Sequence, residues 1–165
     1  MNSDNEFTYI ISDIMDNSEF NKLKSIVHHG LNRYDHSYMV SYYSYIITKK
    51  LRLNYEEATR AALLHDFFFE KNEELNIKNK IKTMLFHPRY AVINSSKYYD
   101  LTDLEKDIIL THMFPISLNP PKYLESWIVD IVDDIVSVFE RLYSVRKQLS
   151  FGYNFLFLLF INYFR

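Results

Sequence analysis

The chain has 165 residues, a formal charge of −2, 48 % hydrophobic residues, two glycines, four prolines and no cysteine. That length fits a single domain over 1–165 with a sizeable core, and so few turn formers argue against a many-stranded β fold. The charge leaves no basic field for a nucleic-acid polymer, and the missing thiols exclude disulfides and sulfur-ligated metals.

In chain order, the polar, acidic start from Met1 to Glu6 shows no signal peptide, so a cytoplasmic location is expected. Phe7, Ile10, Ile11 and Ile14, then Phe20, Leu23, Ile26 and Val27, recur at helical spacing. They predict one or two helices over 7–28, closed by His28-His29-Gly30. Residues 34–51 predict the next helix, with His36, Met39, Val40, Tyr43, Ile46, Ile47 and Leu51 on its buried face. Asn54-Tyr55-Glu56-Glu57 reads as a capping box. Behind it Ala58, Ala61, Ala62 and His65 share an inward face small enough for a neighbouring helix to approach closely. His65 and Asp66 are then pressed among Leu63, Leu64, Phe67, Phe68 and Phe69. That is a costly place for two ionisable groups unless a partner such as a metal ion serves both.

Residues 70–82 are charged without a clean period and predict a solvated loop plus a short helix. His87-Pro88-Arg89 predicts a helix start with His87 at its cap, because proline suits the first helical position. Thr102-Asp103-Leu104-Glu105 is a second capping box; its helix carries Leu104, Ile108 and His112 on one face and stops near Pro115. Asn119-Pro120-Pro121 predicts the opening of the longest helix, running to about residue 147. Leu124, Ile128, Ile131, Ile135, Val138 and Leu142 are its expected core seam. Asp133 borders Val129, Val132 and Val136, whereas Asp130 shares a polar face with Ser126, Asp134 and Ser137 and is expected to be solvated. The apolar tail from Phe151 to Phe164 is too short for a membrane span, which needs about 20 residues. It predicts a terminal helix over about 151–165 packed on the domain, with a homodimer contact or a membrane-surface contact as the other reading.

His36, His65-Asp66, His87, His112 and Asp133 follow one another at intervals of roughly one helix and one loop. Any one of these histidines alone would be read as a structural residue. Together they offer imidazole and carboxylate, which suit divalent iron, manganese, zinc, nickel or magnesium, with imidazole weighing against a pure magnesium site. One such ion lowers the pKa of bound water and polarises a phosphoryl oxygen; two ions about 3.5–4 Å apart could clamp the attacking and leaving oxygens. Asp66 is the natural carboxylate for two ions to share. Arg89 and Lys122 are candidate phosphate contacts, Lys122 lying near an expected helix N-terminus. An exposed solubilising charge is an equal reading of each. No glycine-rich phosphate loop or serine nucleophile stands out, which leaves activated water as the simplest nucleophile.

The stretches Tyr34-Asp35-His36-Ser37, Ala62-Leu63-Leu64-His65-Asp66, His87-Pro88, Ile108-Ile109-Leu110-Thr111-His112-Met113 and Val132-Asp133, in that order, resemble the HD-domain phosphohydrolase superfamily, in particular its small bacterial members. The resemblance extends from about His29 to Glu140. It implies an all-α bundle with a metal site between helices and metal-dependent hydrolysis of a small phosphate ester, often a nucleotide. It further implies that His36, His65, Asp66 and Asp133 hold one divalent metal, with His65 and Asp66 at the catalytic centre. His87 and His112, with shared Asp66, resemble the second-metal pattern of binuclear members. A basic residue often follows the last aspartate in the superfamily; here the position is Asp134, which cannot serve phosphate in that way. The same scaffold also suits a non-catalytic signalling module that binds metal and ligand, and resembles that of some di-iron oxygenases.

Overall fold

The computed structural model describes the backbone of residues 3–28, 31–69 and 77–163 and the side chains of residues 5–26, 32–69 and 83–146. The architecture is all-α: α1 (Ser3–Met15), α2 (Ser18–Asn21), a 3-10 turn (Lys22–Ser25), α3 (Arg33–Lys50), α4 (Tyr55–Leu64), α5 (Ile77–Ser95), α6 (Asp103–Thr111) and α7 (Leu124–Tyr163). Among the described residues the only β pairing is a two-residue antiparallel ladder, β1 (Val27–His28) with β2 (Leu31–Asn32). The first segment therefore ends in a hairpin rather than in a helix stopped at Gly30; His29 and Gly30 lie outside the described residues. Phe7, Ile10, Ile11 and Ile14 of α1, with Phe20 and Leu23, are buried as their spacing predicts.

The centre of the fold is α3 packed on α4. α4 presents Ala58, Ala61 and Ala62, all fully buried. α3 answers with Ser37, Ser41, Ser44 and Thr48, while Tyr43, Ile46, Ile47 and Leu51, expected inside, face outward. An alanine face leaves room only for small partners, and a well-packed interior tolerates no others. The hydroxyl of Ser41 donates to the Thr59 carbonyl at 2.8 Å, and that of Thr48 to the Ser44 carbonyl at 2.6 Å. A reading by hydropathy ranks isoleucine above serine; of the face it expects, His36 and Val40 are buried, and Tyr43, Ile46, Ile47 and Leu51 are not.

At the start of α4 the expected capping box does not form. The Asn54 side-chain amide donates to Glu57 at 2.7 Å and caps no backbone N–H. The box at Thr102 forms both of its bonds and starts α6. α5 is longer than the short helix expected and runs through Pro88, so His87-Pro88 is not a helix start. Residues 70–76 lie outside the described residues.

α7 begins at Leu124, not at Pro120-Pro121, and continues unbroken to Tyr163, so the tail is its extension and not a separate helix. The expected core seam faces outward: Ile131 is 52 % exposed, Ile135 50 %, Val138 54 % and Leu142 61 %. Val129, Val132 and Val136 turn inward together with Asp130, Asp133 and Glu140. Asp130 is thus buried, not solvated. The helix is rotated so that its carboxylates, and not its largest apolar side chains, meet α3, α4 and α6. Among the described residues no helix is long and apolar enough to cross a membrane.

The tight α3–α4 contact yields a stability test. Ala61→Leu should overpack it and lower stability by about 1–3 kcal/mol. Ile46→Ala, on the outward face of α3, should change it by no more than about 0.5 kcal/mol. Urea denaturation of both variants checks the assignment of faces.

Candidate metal centre

Five helices bring one buried cluster together. His65 directly follows α4 and His112 directly follows α6; His87 lies within α5, His36 near the start of α3, and Asp133 on the inner face of α7. These residues and Asp66 are all buried.

Three of the histidines are oriented in one way. The last carbonyls of a helix have no N–H partner within it. His65 Nδ1 lies 2.7 Å from the Ala62 carbonyl, and His112 Nδ1 lies 2.8 Å from the Ile109 carbonyl, each three residues back. A carbonyl only accepts, so each Nδ1 carries the proton and donates it. His87 makes the same bond in the middle of a helix, donating from Nδ1 to the Met84 carbonyl at 2.8 Å. Pro88 is the reason: it has no N–H for the carbonyl four residues back, which is that of Met84. In the neutral form of each ring Nε2 is then a lone pair directed into the cluster.

Those lone pairs converge. His87 Nε2 and His112 Nε2 are 2.9 Å apart. They lie 3.3 and 3.9 Å from Asp66 Oδ1. His65 Nε2 lies 3.9 Å from Asp66 Oδ2 and 3.8 Å from Asp133 Oδ1, and has no hydrogen-bond partner. Two acceptor nitrogens at that distance repel unless a cation or a proton stands between them. Burying charged carboxylates beside them costs several kcal/mol per ion without a compensating charge. Three trios each bring one ligand atom per residue within 4.8 Å of the others: His36, His65 and Asp66; His65, His112 and Asp133; Asp66, His87 and His112. Imidazole and carboxylate donors, with unpartnered buried atoms among them, fit divalent transition metals. The negative ends of the α4 and α6 dipoles point the same way.

His36 differs. Its Nε2 is 2.9 Å from Asp133 Oδ1 and its Nδ1 is 3.0 Å from Glu140 Oε1. Burial would lower its pKa, but the two carboxylates outweigh burial and raise it to about 10. His112 goes the other way: burial, then His65 and His87, push it down to about 3, so its ring is neutral. Burial opposes ionisation of Asp133, yet His65 and the bond from His36 hold it at about 2. Burial likewise opposes ionisation of Asp66, but the histidines around it, led by His65, and Arg33 keep it well below the usual carboxylate range.

Two buried charged residues, Arg33 and Glu140, escape the sequence reading, and a third, Asp130, is buried where solvent was expected. Arg33 donates to the Phe68 carbonyl at 2.8 Å, stacks 3.9 Å over the Phe68 ring, and sets Nε 3.9 Å from Asp66 Oδ2. It precedes His36 by three residues, and that shared helix face was the available signal. Glu140 follows Asp133 by seven residues, two turns along the same face. Asp130 buries an Oδ1 with no hydrogen-bond partner, and burial with Asp134 and Asp133 nearby pushes its carboxyl up to about 7. The two candidate phosphate contacts lie outside the cluster. Arg89 is exposed, its guanidinium 5.6 Å from the Phe86 ring. Lys122 is exposed and precedes α7, its backbone N–H donating to Asp107 at 3.0 Å.

Comparison with protein-family models matches residues 33–137, more than half of the chain, to the HD domain. No curated protein and no solved structure matches it. Glu140 lies just beyond the matched span.

Two measurements follow from the state of His36. Without an ion it keeps its proton up to a pH of about 10, and Nε2 must lose that proton to bind a metal. Divalent metal uptake at neutral pH should therefore release about one proton from this ring and tighten as pH rises toward the alkaline range. Calorimetry in buffers of different ionisation heat reads the release, and uptake without a proton contradicts this role. Glu140→Gln keeps the shape but removes the charge that holds Nδ1. It should weaken metal binding by about 10–100-fold, measured by competition with a chelating dye.

Proposed function

The chain belongs to the HD-domain family, and on that premise we propose that it is a metal-dependent phosphohydrolase acting on a small, nucleotide-like phosphate ester. The observation that supports this reading best is the inward convergence of the His65, His87 and His112 Nε2 lone pairs around Asp66. In the proposal His36, His65, Asp66 and Asp133 hold one divalent ion, and His87, His112 and Asp66 a second. Iron, manganese, zinc and nickel suit these donors, magnesium less well. Such an ion supplies Lewis acidity to a phosphoryl oxygen and makes water a stronger nucleophile at neutral pH.

The remaining work falls to the chain's own groups. Asp66 directs Oδ1 toward His87 and His112 and Oδ2 toward His65 and Arg33, so it stands between the two sets of donors. Arg33 fixes that carboxylate from behind, as His36 is fixed by Glu140. Phe68, whose ring centroid is 5.0 Å from that of His87, keeps bulk water from this side of the cluster. A dry surrounding strengthens every charge interaction inside it. Arg89 and Lys122, both exposed, are the proposed contacts for the phosphate of an incoming substrate.

Metal analysis of the purified protein, joined to a screen of nucleotide monoesters and diesters with and without added metal, tests the proposal. One or two divalent ions per chain and metal-dependent turnover are expected. Bound metal with no turnover of any ester would favour a non-catalytic ligand-binding module instead. Asp133→Ala should lose both metal and turnover. His87→Ala with His112→Ala should lose about one ion and slow hydrolysis by more than the roughly 10–100-fold typical of outer-shell losses. Removing the metal should also lower the melting temperature, since an ion at about 100 times its Kd stabilises the fold by about 2.7 kcal/mol.

A further inference from the structure

α7 carries two faces of opposite character. At about 100° per residue, Ser126, Val129, Asp133, Val136 and Glu140 point into the domain, where they are buried. On the opposite side Leu124, Ile131, Ile135, Val138, Leu142 and Val145 are each half-exposed or more. With half-buried Ile128 between the first two, they step along the helix by four and three residues in strict alternation. That is the heptad seam by which one helix packs against another. A monomer's surface helix carries charged and polar residues on its outer side, and apolar patches larger than a few hundred Å² mark interaction surfaces.

We infer that this outer seam of α7 pairs with the same seam of a second copy of the chain, antiparallel, in a two-fold symmetric homodimer. The area is of the right size. The six seam residues, with exposed Phe139 and Tyr143 beside them, present roughly 100 Å² each. Together they approach the about 800 Å² per partner that a standard interface buries. The pattern is also self-complementary. In an antiparallel pair Ile135 packs on Val138 of the second copy, Ile131 on Leu142 and Ile128 on Val145, so each of these layers is apolar on both sides.

Charge selects the direction. Asp134 and Arg141 flank the seam on one side, seven residues apart. Antiparallel packing sets Asp134 of each copy beside Arg141 of the other, so the attraction occurs twice. Parallel packing in register sets Arg141 against Arg146 of the second copy, which repels. The seam lies across the helix from Asp133 and Glu140, so it can be altered without touching a metal-binding side chain.

Sedimentation of the full chain tests this. The wild-type chain is expected to be dimeric at micromolar concentration. Ile135→Lys is expected to be monomeric with unchanged helicity and metal content. Asp134→Arg and Arg141→Asp should each weaken association about tenfold, and the two exchanges combined should restore it. A monomeric wild-type chain, or a dimer that survives Ile135→Lys, overturns the interface. A double variant no tighter than the single ones overturns the antiparallel pairing.

Discussion

Where a helix ends, or where proline interrupts its hydrogen-bond ladder, a carbonyl is left to accept from a side chain. Here three such carbonyls each take the Nδ1 proton of a histidine. That bond settles the tautomer, and the tautomer settles where the lone pair goes. The Ala62, Met84 and Ile109 carbonyls thus do locally what outer-shell carboxylates do in many metal proteins. The lone pairs are then directed inward beside the Asp66 and Asp133 carboxylates, and acceptors gathered in this way call for a cation or a proton among them. Arg33 lies beside Asp66, and Glu140 holds the second nitrogen of the His36 ring that Asp133 contacts.

The same demand explains the uneven packing. Convergence of His36, His65 and Asp133 needs α3, α4 and α7 close together, and close approach needs small side chains. Ala58, Ala61 and Ala62 meet Ser37, Ser41 and Ser44, and Tyr43, Ile46, Ile47 and Leu51 of α3 are turned to the outside. α7 is oriented by the same pull, with Val129, Val132, Val136, Asp130, Asp133 and Glu140 inward and Ile131, Ile135 and Val138 outward. The outer surface is consequently more apolar than a charged cluster within would suggest, and the core less so. This inversion lies behind both the buried histidine–aspartate cluster and the outer seam of α7.

Much of the centre could be read from residue order, because His36, His65-Asp66, His87, His112 and Asp133 are recognisable without knowing any helix phase. The all-α class was legible too, from scarce turn formers and from the box at Thr102. What failed was phase. On α3 and α7 the periodic apolar residues were real, but a period says which residues share a face, not whether that face is buried. For that reason periodicity alone puts Tyr43 and Ile46, like Ile131 and Ile135, in the core, and Asp130 in solvent. Pro88 was misread because proline is more often found at a helix start than inside one, and its use here depends on the ring of the preceding residue. Glu140 and Arg33 carried only a weak signal, a spacing that aligned them with a candidate ligand. Nothing in composition distinguishes such a charge from a solvated one.

The four histidines also differ in how far along the chain their orienting partners lie. His65, His87 and His112 are each set by a carbonyl three residues away, within the helix or turn that carries them. His36 is set by Glu140, across a separation of 104 residues. Contacts of short separation cost little loop entropy and form early, whereas long-range ones wait for the chain to close. Three rings can therefore adopt their working tautomers in isolated segments, and the fourth only when α7 docks. A ribosome that has made the chain as far as His112 has added every histidine of the cluster but neither Asp133 nor Glu140. The order of synthesis makes the arrival of α7 the step that completes the cluster.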